Sequence, residues 1–594
     1  MSDRRKRREF LGLMGAGGLS VIGAGCSSSD GNANSSAGGQ GGTGGSGGTG
    51  GSAGDGGPDD ANPDAPAKKK YNIVLITTDE ERLRREFPAE AKFAARDALE
   101  SRGVSFQQYH VSTAPCTPSR STIFTGQHVP HTKMYDNIDF DSIADMSPSI
   151  PTLGTMLRAA GYDTAYKGKW HLSRFSADNC DTAPTTDAME PYGFSSYNEC
   201  GDKHGAPRGG EQDDGAVADD AKLWLETRAK SQGANPFFLV VGFINPHDIM
   251  FVDTDGIGPG GTQVAKGQVP TVPPPKTPPY NKDWNPAVPA SLGDSLSTKP
   301  QAYTEFFEIM KWVFGDIPAD RADLWKTYLN YYINCHVDVD AKIKTVVDAI
   351  AASFPDNTII VFTSDHGDLA GAHGLRQKGP FVLRENVNVP LIIVHPDVKT
   401  AAKTNAVASA MDLAPTLLSM AGMTESEWQS QFPGLKGVDL SPVLTDPQGA
   451  APRAGKGVLF TYDAASTIDA TYAKQTTGFK GVSPGGDPCE KPGGQTPDLT
   501  KRGFLRGVFD GRWKFARYFA PADYNRPQTW DDLIAHNDLE MYDLQTDPNE
   551  MDNLAQPSKR DGSHDMILQM NAMLEAAIQR EIGDDPGYTV GSNC

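Results

Sequence analysis

The segment that offers a nucleophile lies at Cys116, in the run Cys-Thr-Pro-Ser-Arg that continues to Gly126. It follows a polar segment and opens a short apolar run, which predicts a turn leading into a helix. Pro118 suits the first turn of a helix, because its missing N–H would have had no partner there. Free backbone donors at a helix N-terminus attract negative charge and lower the pKa of a nearby thiol. Cys116 is therefore a candidate nucleophile, with a buried, inert cysteine as the alternative.

Acidic and imidazole side chains stand just after two apolar runs that are rich in β-branched residues. Asp79 and Glu80 follow the first run, and Asp365 and His366 follow a later one. Such runs predict buried strands, and ligands of α/β sheets bind beyond the carboxyl ends of the strands. Carboxylates from two strand ends can share one hard divalent cation, whereas imidazole suits Mn or Zn better than Ca. The sequence therefore predicts a metal site at these strand ends.

Two lysines and two histidines stand in short motifs further along the chain. Lys169 and His171 lie in Gly-Lys-Trp-His, His247 lies in Asn-Pro-His, and Lys378 lies in Lys-Gly-Pro. A lone Lys-x-His is usually a surface turn, and a satisfied loop histidine is the alternative for His247. His247 is nevertheless a candidate general acid, because unperturbed histidine titrates near neutral pH.

These candidates need a scaffold that brings distant segments together, and the apolar patterns predict one. Continuous apolar runs predict parallel strands, and 3.6-residue periodicity predicts helices between them. Their alternation predicts an α/β fold with a large, mostly parallel sheet sandwiched by helices. Past about residue 450, an alternating pattern predicts a smaller C-terminal antiparallel sheet plus a closing helix. The predicted strands are 72–77, 162–166, 237–244 and 358–363, the hairpin is 505–519 with its turn at Asp510-Gly511, another strand begins at 541–544, and the helices are 151–160, 322–352 and 565–582.

The arrangement Cys-x-Pro-Ser-Arg, with Thr-Gly starting five residues after the arginine, resembles the signature of type I sulfatases in the alkaline phosphatase superfamily. Pro115 before the cysteine and Ile123 in place of the usual Leu are small departures. The Gly-Lys-Trp-His, Pro-His and Lys-Gly-Pro segments resemble the same family in the same order, as do several short motifs between 506 and 554. The resemblance spans nearly the whole chain from Tyr71 onward.

This resemblance implies that a formylglycine-generating enzyme oxidises Cys116 and that the hydrated aldehyde is the nucleophile. It implies metal ligands at Asp79, Glu80, Asp365 and His366, together with the oxygens derived from Cys116. The commonest family version has Asp-Asp and Asp-Asn with calcium, so Glu80 and His366 depart from it. One divalent ion is expected, Ca²⁺, with Mn²⁺ as the alternative that His366 raises. Histidine at this position also resembles the branch that contains choline sulfatases and phosphonate monoester hydrolases.

The other catalytic assignments are also implied by the resemblance. Lys169 and Lys378 would bind the sulfuryl oxygens. His171 would contact the hydrate, and His247 would protonate the leaving oxygen. Arg120 would hold the hydrate or the metal carboxylates through a bidentate fork.

Three polar positions near these motifs are expected to have structural or surface roles. Asp368 is expected to be a solvated or capping carboxylate, and Arg376 is expected to face solvent. The segment 411–416 matches the family but is predicted to be a capped helix start.

The N-terminal part of the chain is typical of an exported, tethered protein. Residues 1–26 combine basic residues, a short apolar run and small residues, as in a secretory signal of the twin-arginine type. Cys26 follows a lipobox-like Gly-Ala-Gly and is predicted to be lipidated, with ordinary cleavage nearby as the alternative. Residues 27–70 are a Gly/Ser-rich linker with few apolar side chains. A catalytic domain over 71–450 and a C-terminal subdomain over 451–594 are predicted to follow, at the bacterial cell envelope (periplasm or outer surface).

Charge and cysteine content exclude two further classes of protein. The net charge of −20 argues against a nucleic-acid-binding protein. Seven cysteines are too few for a disulfide scaffold. Cys180–Cys200 and Cys489–Cys594 are the candidate bridges, which leaves Cys335 unpaired on a helix.

The chain is therefore expected to be a sulfatase that cleaves an aryl, alkyl or carbohydrate sulfate ester. A hydrolase of phosphonate or phosphate esters on the same fold is one alternative, and His366 favours it. A catalytically inactive, surface-anchored lipoprotein that binds sulfated glycans is the other. That second alternative predicts missing site residues, yet none of the key polar positions is lost.

Overall fold

A computed structural model of the protein describes residues 70–585, apart from 141–142, 176–186, 200, 232, 257–262, 264–266 and 476–496. The predicted signal, Cys26 and nearly all of the linker lie outside the described residues. So do the four cysteines of the two candidate bridges, Cys180, Cys200, Cys489 and Cys594. The predicted domain boundary near residue 450 stays a prediction.

The large sheet has seven strands. They are β1 (Asn72–Asp79), β2 (Val104–His110), β3 (Asp163–Gly168), β4 (Phe237–Pro246), β5 (Thr358–Ser364), β6 (Leu391–Val394) and β7 (Ala402–Ser409). Their order is β3-β4-β1-β5-β6-β2-β7. Strand β6 runs antiparallel to both of its neighbours, and all other neighbouring pairs are parallel. The predicted large, mostly parallel sheet is confirmed.

The strands that carry the site are the central ones. Every residue of β1, β4 and β5 is buried, which fits their continuous apolar sequences, since strands covered on both faces need apolar residues at every position. Sequence patterns did not predict β2, β6 or β7. Strand β6 has only four residues. Strand β7 lies at the sheet edge, and its buried and exposed residues follow no regular alternation.

Helices cover both faces of this sheet and bury two separate apolar clusters against it. They are α1 (Ala94–Glu100), α2 (Cys116–Thr125), α3 (Val129–Thr132), α4 (Leu153–Ala159), α5 (Gly209–Arg228), α6 (Gln301–Phe314), α7 (Ala322–Ser353), α8 (Arg384–Val387), α9 (Leu413–Met420), α10 (Glu425–Gln431) and α11 (Ser441–Thr445). The predicted helix at 322–352 is confirmed as α7, which carries the free, buried Cys335. Within the described part of the chain, none of the helices combines the length and apolar content that a membrane crossing needs.

A second sheet of four antiparallel strands lies in the C-terminal part of the chain. Its strands are β8 (Val458–Tyr462), β9 (Phe504–Phe509), β10 (Trp513–Phe519) and β11 (Asn537–Asp543), and its helices are α12 (Ala470–Gln475), α13 (Trp530–His536) and α14 (His564–Glu581). The predicted hairpin is confirmed, and Gly511 adopts the positive φ (+113°) that the tight turn requires. The predicted strand start at Met541 is wrong, because β11 pairs with β10 from Asn537 onward. Helix α14 packs its apolar side on this sheet, as the closing helix was expected to do.

Candidate active site

Cys116 is the first residue of helix α2, and its side chain is buried. The predicted turn into a helix is confirmed, with the proline of the motif in the first turn. Hydroxyl groups of α2 tie it to other segments. Thr117 donates to the backbone carbonyl of His171 (2.7 Å), and Ser119 donates to that of Asp365. These bonds hold the thiol beside two other segments of the site.

Two strand ends bring their polar side chains to this thiol. Asp79 ends β1, while Asp365 and His366 directly follow its parallel neighbour β5. Sγ of Cys116 lies 3.7 Å from Oδ1 of Asp79 and 3.2 Å from Nε2 of His366. Nε2 of His366 in turn lies 3.7 Å from Oδ1 of Asp365. The four side chains are buried, and one ligand atom of each lies within 4.8 Å of all the others.

This donor set fits a divalent cation. Nδ1 of His366 donates to the backbone carbonyl of Gly367 (3.0 Å), which leaves the Nε2 lone pair directed toward the cluster. Backbone N–H groups of Glu80 (3.1 Å) and His366 (2.9 Å) donate to Oδ1 of Asp365 and orient that carboxylate. Two carboxylates match Ca²⁺, and the imidazole makes Mn²⁺ an equally reasonable occupant.

Arg120 is held on the opposite side of the two aspartates. Its Nη1 lies 3.2 Å from Oδ2 of Asp365 and 3.9 Å from Oδ2 of Asp79. Its other nitrogens donate to the backbone carbonyls of Trp170 (2.8 Å) and Lys169 and to the hydroxyl of Tyr166 (3.1 Å). Arg120 thus approaches both carboxylates, as expected, but through Nη1 alone and not through a bidentate fork, because its other nitrogens bond to Tyr166 on β3 and to the backbone just after this strand.

Two buried lysines flank the cluster, and each contacts a different member of the first acidic pair. Nζ of Lys169 lies 2.6 Å from Oδ2 of Asp79, and Nζ of Lys378 lies 2.8 Å from Oε2 of Glu80. Although burial opposes ionisation, Lys169 and the other nearby cations hold the pKa of Asp79 well below its usual range. Burial, by contrast, raises the pKa of Glu80 well above its usual range. Glu80 contacts Lys378, and its carboxylate groups with Asp79 and His247, not with Cys116, Asp365 and His366.

The two predicted catalytic histidines are both buried in the site. His247 follows β4 and lies 3.9 Å from Oε2 of Glu80 through its Nε2. Burial, together with the charges of Lys378 and Lys169, holds the pKa of His247 well below its usual range. Burial also disfavours the charged form of His171, but Asp139 and the Cys116 side chain outweigh it and raise the pKa of His171. The two imidazoles therefore have opposite electrostatic environments.

Three polar residues of the site were not predicted from sequence. Asp202 accepts hydrogen bonds from the backbone N–H groups of Trp170 (3.0 Å) and His171 (2.6 Å). Oδ2 of Asp139 lies 2.9 Å from Nε2 of His171, and the ring of His204 stacks on the His171 ring with 5.4 Å between centroids. All three lie on irregular loops, where no periodic pattern or motif could have indicated them.

The structure corrects the expectation for Arg376 and bears out one of the two alternatives for Asp368, the capping one. Arg376 does not face solvent, because its side chain is buried and its Nη2 donates to the backbone carbonyl of Gly315 (2.7 Å). Asp368 is not solvated either. It is buried and accepts from the backbone N–H groups of Ala370 (2.6 Å) and Gln377 (3.0 Å), so it caps the loop that leads to Lys378. The capped helix start at 411–416 is confirmed, since Ser409 and Asp412 form a capping box there.

Comparison with known sequences shows one family over most of the described chain. The profile of the family described as Sulfatase matches residues 72–423. The chain is 26% identical to an ulvan-active sulfatase of Formosa agariphila over 437 residues, which is 69% of this chain and 74% of that protein. It is 23% identical to a choline-sulfatase of Rhizobium meliloti over 521 residues, 82% of this chain and 83% of that protein.

Solved structures show the same fold. A 2-O GAG sulfatase superposes with a TM-score of 0.60 at 19% identity, over 87% of this chain and 94% of that one. A phosphonate monoester hydrolase of Agrobacterium radiobacter superposes with a TM-score of 0.56 at 19% identity, over 85% and 96% of the two chains. At these identities the superpositions establish the architecture alone.

Proposed function

This chain belongs to the sulfatase family of sulfuric ester hydrolases, and from that premise we propose that it cleaves an aryl, alkyl or carbohydrate sulfate ester with a nucleophile derived from Cys116 and one divalent metal ion. The predicted family is confirmed. The observation that carries the proposal is the convergence of Cys116, Asp79, Asp365 and His366 within 4.8 Å of one another. An inert buried cysteine would have no need of two carboxylates and an imidazole at its sulfur.

Two groups complete this site in the proposal. Asp79, Asp365 and His366, with the side chain at position 116, would hold Ca²⁺ or Mn²⁺, which would supply positive charge to the nucleophile and the sulfuryl oxygens. Oxidation of Cys116 to formylglycine by a separate maturation enzyme would supply a hydrated aldehyde, whose two hydroxyl groups allow attack on sulfur and later release of sulfate. We also propose export to the bacterial envelope with Cys26 as a lipid anchor.

The two lysines are the proposed binding groups for the negative charge of the substrate. Lys169 and Lys378 lie on either side of the first acidic pair and are both buried, so their charges are poorly screened. They would neutralise the sulfuryl oxygens as the S–O bond to the alcohol breaks. Because Lys378 contacts Glu80, binding a sulfate would require this lysine to exchange one partner for another.

His247 is the proposed acid for the departing oxygen. Burial and the two lysines disfavour its charged form, as described above. An anionic sulfuryl group bound to the same lysines would offset their repulsion, so the imidazole would gain its proton only with substrate in place. This coupling would keep the acid role tied to substrate binding.

A phosphonate or phosphate ester hydrolase is the second candidate, and His366 is the observation that favours it. Its Nε2 lies 3.2 Å from Sγ of Cys116, so the imidazole belongs to the innermost set of side chains. The phosphonate monoester hydrolase fold neighbour is compatible with this alternative without deciding it. Both reactions transfer a tetrahedral anion and would use the same lysines.

Two measurements test the proposal. The first is the kinetics of the matured enzyme on an aryl sulfate and on the matching aryl phosphonate, and the second is mass spectrometry of the peptide that contains Cys116. We expect an aldehyde at position 116 and a higher kcat/KM for the sulfate. Cys116→Ser, which lacks the second hydroxyl, should accumulate a sulfated enzyme after partial turnover, whereas Cys335→Ala should stay active. A higher kcat/KM for the phosphonate would favour the second candidate. A chain without aldehyde and turnover that still binds sulfated glycans would be a binding protein.

A further inference from the structure

A carboxylate on a surface loop contacts the buried imidazole of His171. Oδ2 of Asp139 lies 2.9 Å from Nε2 of His171, while the side chain of Asp139 is 46% exposed and that of His171 is 2% exposed. A carboxylate oxygen can only accept a hydrogen bond, so Nε2 of the neutral ring carries the proton. Nδ1 is then the basic nitrogen. It is buried and has no hydrogen-bond partner among the described residues.

The backbone of His171 is fixed close to the helix that carries the nucleophile. The residue has φ +59°, and its N–H donates to Oδ2 of Asp202 (2.6 Å). Its carbonyl accepts from the hydroxyl of Thr117 (2.7 Å), the residue next to Cys116 on helix α2. The imidazole is thus held beside the start of the helix that presents the nucleophile.

The loop that carries Asp139 is anchored as firmly as the histidine. Oδ1 of Asn137 accepts from the backbone N–H of Thr117 (3.0 Å), and the N–H of Ile138 donates to the Thr117 hydroxyl (3.3 Å). Beyond Asp139, Nη2 of Arg174 donates to the carbonyls of Phe140 (3.1 Å) and Ile143 (2.7 Å). The exposed carboxylate of Asp139 therefore contacts His171 from a segment that is hydrogen-bonded to helix α2.

His204 adds a second restraint on the same ring. Its imidazole stacks on that of His171 at 22°, and its Nε2 lies 3.8 Å from Oδ1 of Asp139. Its carbonyl accepts from Nζ of Lys169 (2.9 Å). Stacking on His204 thereby restrains the plane of the His171 ring, and the contact with Asp139 restrains its rotation about the Cβ–Cγ bond.

We propose that Asp139 is the positioning residue for His171, and that it holds this ring in the tautomer whose Nδ1 can accept a proton from the side chain at position 116. This inference rests on the proposed function. The proton would leave the remaining hydroxyl of the sulfated residue 116 for Nδ1 as the aldehyde C=O bond forms again. The C–O bond to sulfate would break in the same step, and sulfate would depart with the bonding electron pair. Asp139 therefore acts in the second half of the reaction, not in the attack on sulfur.

Asp139→Asn, in the matured full chain with an aryl sulfate, tests this role. Loss of the partner that orients a metal-ligating histidine costs about 10- to 100-fold, and we take the same range for His171. We expect kcat to fall by that amount and KM to fall with it, so that kcat/KM is retained, because only the second half of the reaction is slowed. The phenol should appear in a burst, and the enzyme should accumulate with its mass raised by one SO₃. Asp139→Glu should recover part of the lost kcat.

Asp145→Asn is the matched control, because Asp145 lies on the same loop, is 41% exposed and pairs with Arg174 instead of His171. A loss of activity in Asp139→Asn without burst or sulfated enzyme, or an equal loss in Asp145→Asn, would overturn the positioning role. ¹⁵N spectra of histidine-labelled protein, recorded at a pH above the raised pKa of His171 and assigned with His171→Gln, should show the Nε2–H tautomer in the natural chain and its loss in Asp139→Asn. These spectra need no turnover, so the two tests are independent. Absence of sulfate-ester cleavage would contradict the proposed function, whereas the tautomer of His171 decides the role of Asp139.

Discussion

The buried carboxylates of the candidate active site and those of the C-terminal sheet with its helix have different partners. In the site, Asp79, Glu80 and Asp365 lie close together, and Oε1 of Glu80 is buried without a hydrogen-bond partner among the described residues. In the C-terminal sheet, Glu540 accepts from the hydroxyl of Tyr518 (2.6 Å) at one oxygen. Its other oxygen accepts from two more tyrosine hydroxyls at 2.8 Å, those of Tyr303 and Tyr542.

The difference shows how one residue type serves two purposes. When protein groups donate hydrogen bonds to both oxygens of a buried carboxylate, as they do for Glu540, the side chain has a structural role. Carboxylates that crowd together around a thiol and an imidazole lower the stability of the fold unless a cation or substrate joins them. The kind of neighbour, more than burial, separates the two regions: Asp79 and Asp365 lie against a thiol and an imidazole, whereas Glu540 lies against tyrosine hydroxyls.

The largest expected effect is the loss of activity in Asp365→Asn. This change removes one carboxylate from the cluster, so we expect kcat/KM to fall about 1,000-fold, as for other losses of transition-state electrostatics. The free energy of unfolding should stay the same or rise, since one crowded negative charge is gone. Steady-state kinetics after dialysis against a chelator, with Ca²⁺ or Mn²⁺ added back, measure the first quantity and urea unfolding the second. A destabilised Asp365→Asn that retains activity would break the comparison.

Glu540→Leu should have the opposite signature. It removes the acceptor of three buried tyrosine hydroxyls, so we expect the free energy of unfolding to fall by about 3 kcal/mol. Activity per folded molecule should decrease only modestly, through the bond from Tyr518 to the carbonyl of Pro380 (2.9 Å), two residues from Lys378. Urea unfolding measures the change. Glu226→Leu is the control, because Glu226 is exposed and its ion pair with Lys222, at 3.9 Å, contributes little to stability. Equal losses of stability in the two variants would contradict the structural role.

Glu80→Gln sharpens the comparison inside the site. If Glu80 serves as the partner of Lys378, replacing its carboxyl group by an amide weakens this contact and frees the lysine, so inorganic sulfate should inhibit about tenfold more strongly. The affinity for the metal should not change. Inhibition constants and metal titration, read together, decide the question. Weaker metal binding with unchanged sulfate inhibition would make Glu80 a metal ligand, as the family resemblance implied.

The smallest effect concerns acid stability and Glu581, another fully partnered carboxylate. It accepts from Nε2 of His128 (3.0 Å) and from Nη1 of Arg453 (2.9 Å). Although burial opposes ionisation, these partners hold the pKa of Glu581 below its usual range. The stabilisation is therefore present above the unfolded pKa, near 4.3, and is lost as the pH falls toward the folded value, by at most about 1.4 kcal/mol per pH unit.

Glu581→Gln should accordingly be less stable than the natural chain at pH 7 and approach it below about pH 4. Thermal unfolding across this range measures the difference. Glu226→Gln, which removes an exposed carboxylate, should follow the natural chain at every pH. A difference that widens on acidification would show that Glu581 is not stabilised as an anion.

Much of the architecture and of the site was predictable because strong local signals coincide with it. Continuous apolar runs predict β1, β4 and β5, and the side chains just after them necessarily meet at one end of a parallel sheet. Asp79, Asp365 and His366 were therefore expected beside Cys116. Strand β6 was missed because four residues are too few for a periodic pattern, and β7 was missed because its burial at the sheet edge is irregular. Arg376 was misplaced because a cation in a loop is exposed more often than buried.

The amino-acid sequence by itself determined which elements form and which chemical groups stand at strand ends, since apolar periodicity and the order of motifs are properties of the chain alone. Only the tertiary structure decided which oxygen meets which partner. Glu80 faces Lys378 because its own backbone adopts a positive φ and a distant loop brings the lysine. Asp139 reaches His171 because Thr117 and Arg174 hold its loop from two sides. Such contacts join residues far apart in the chain, and no local pattern records them.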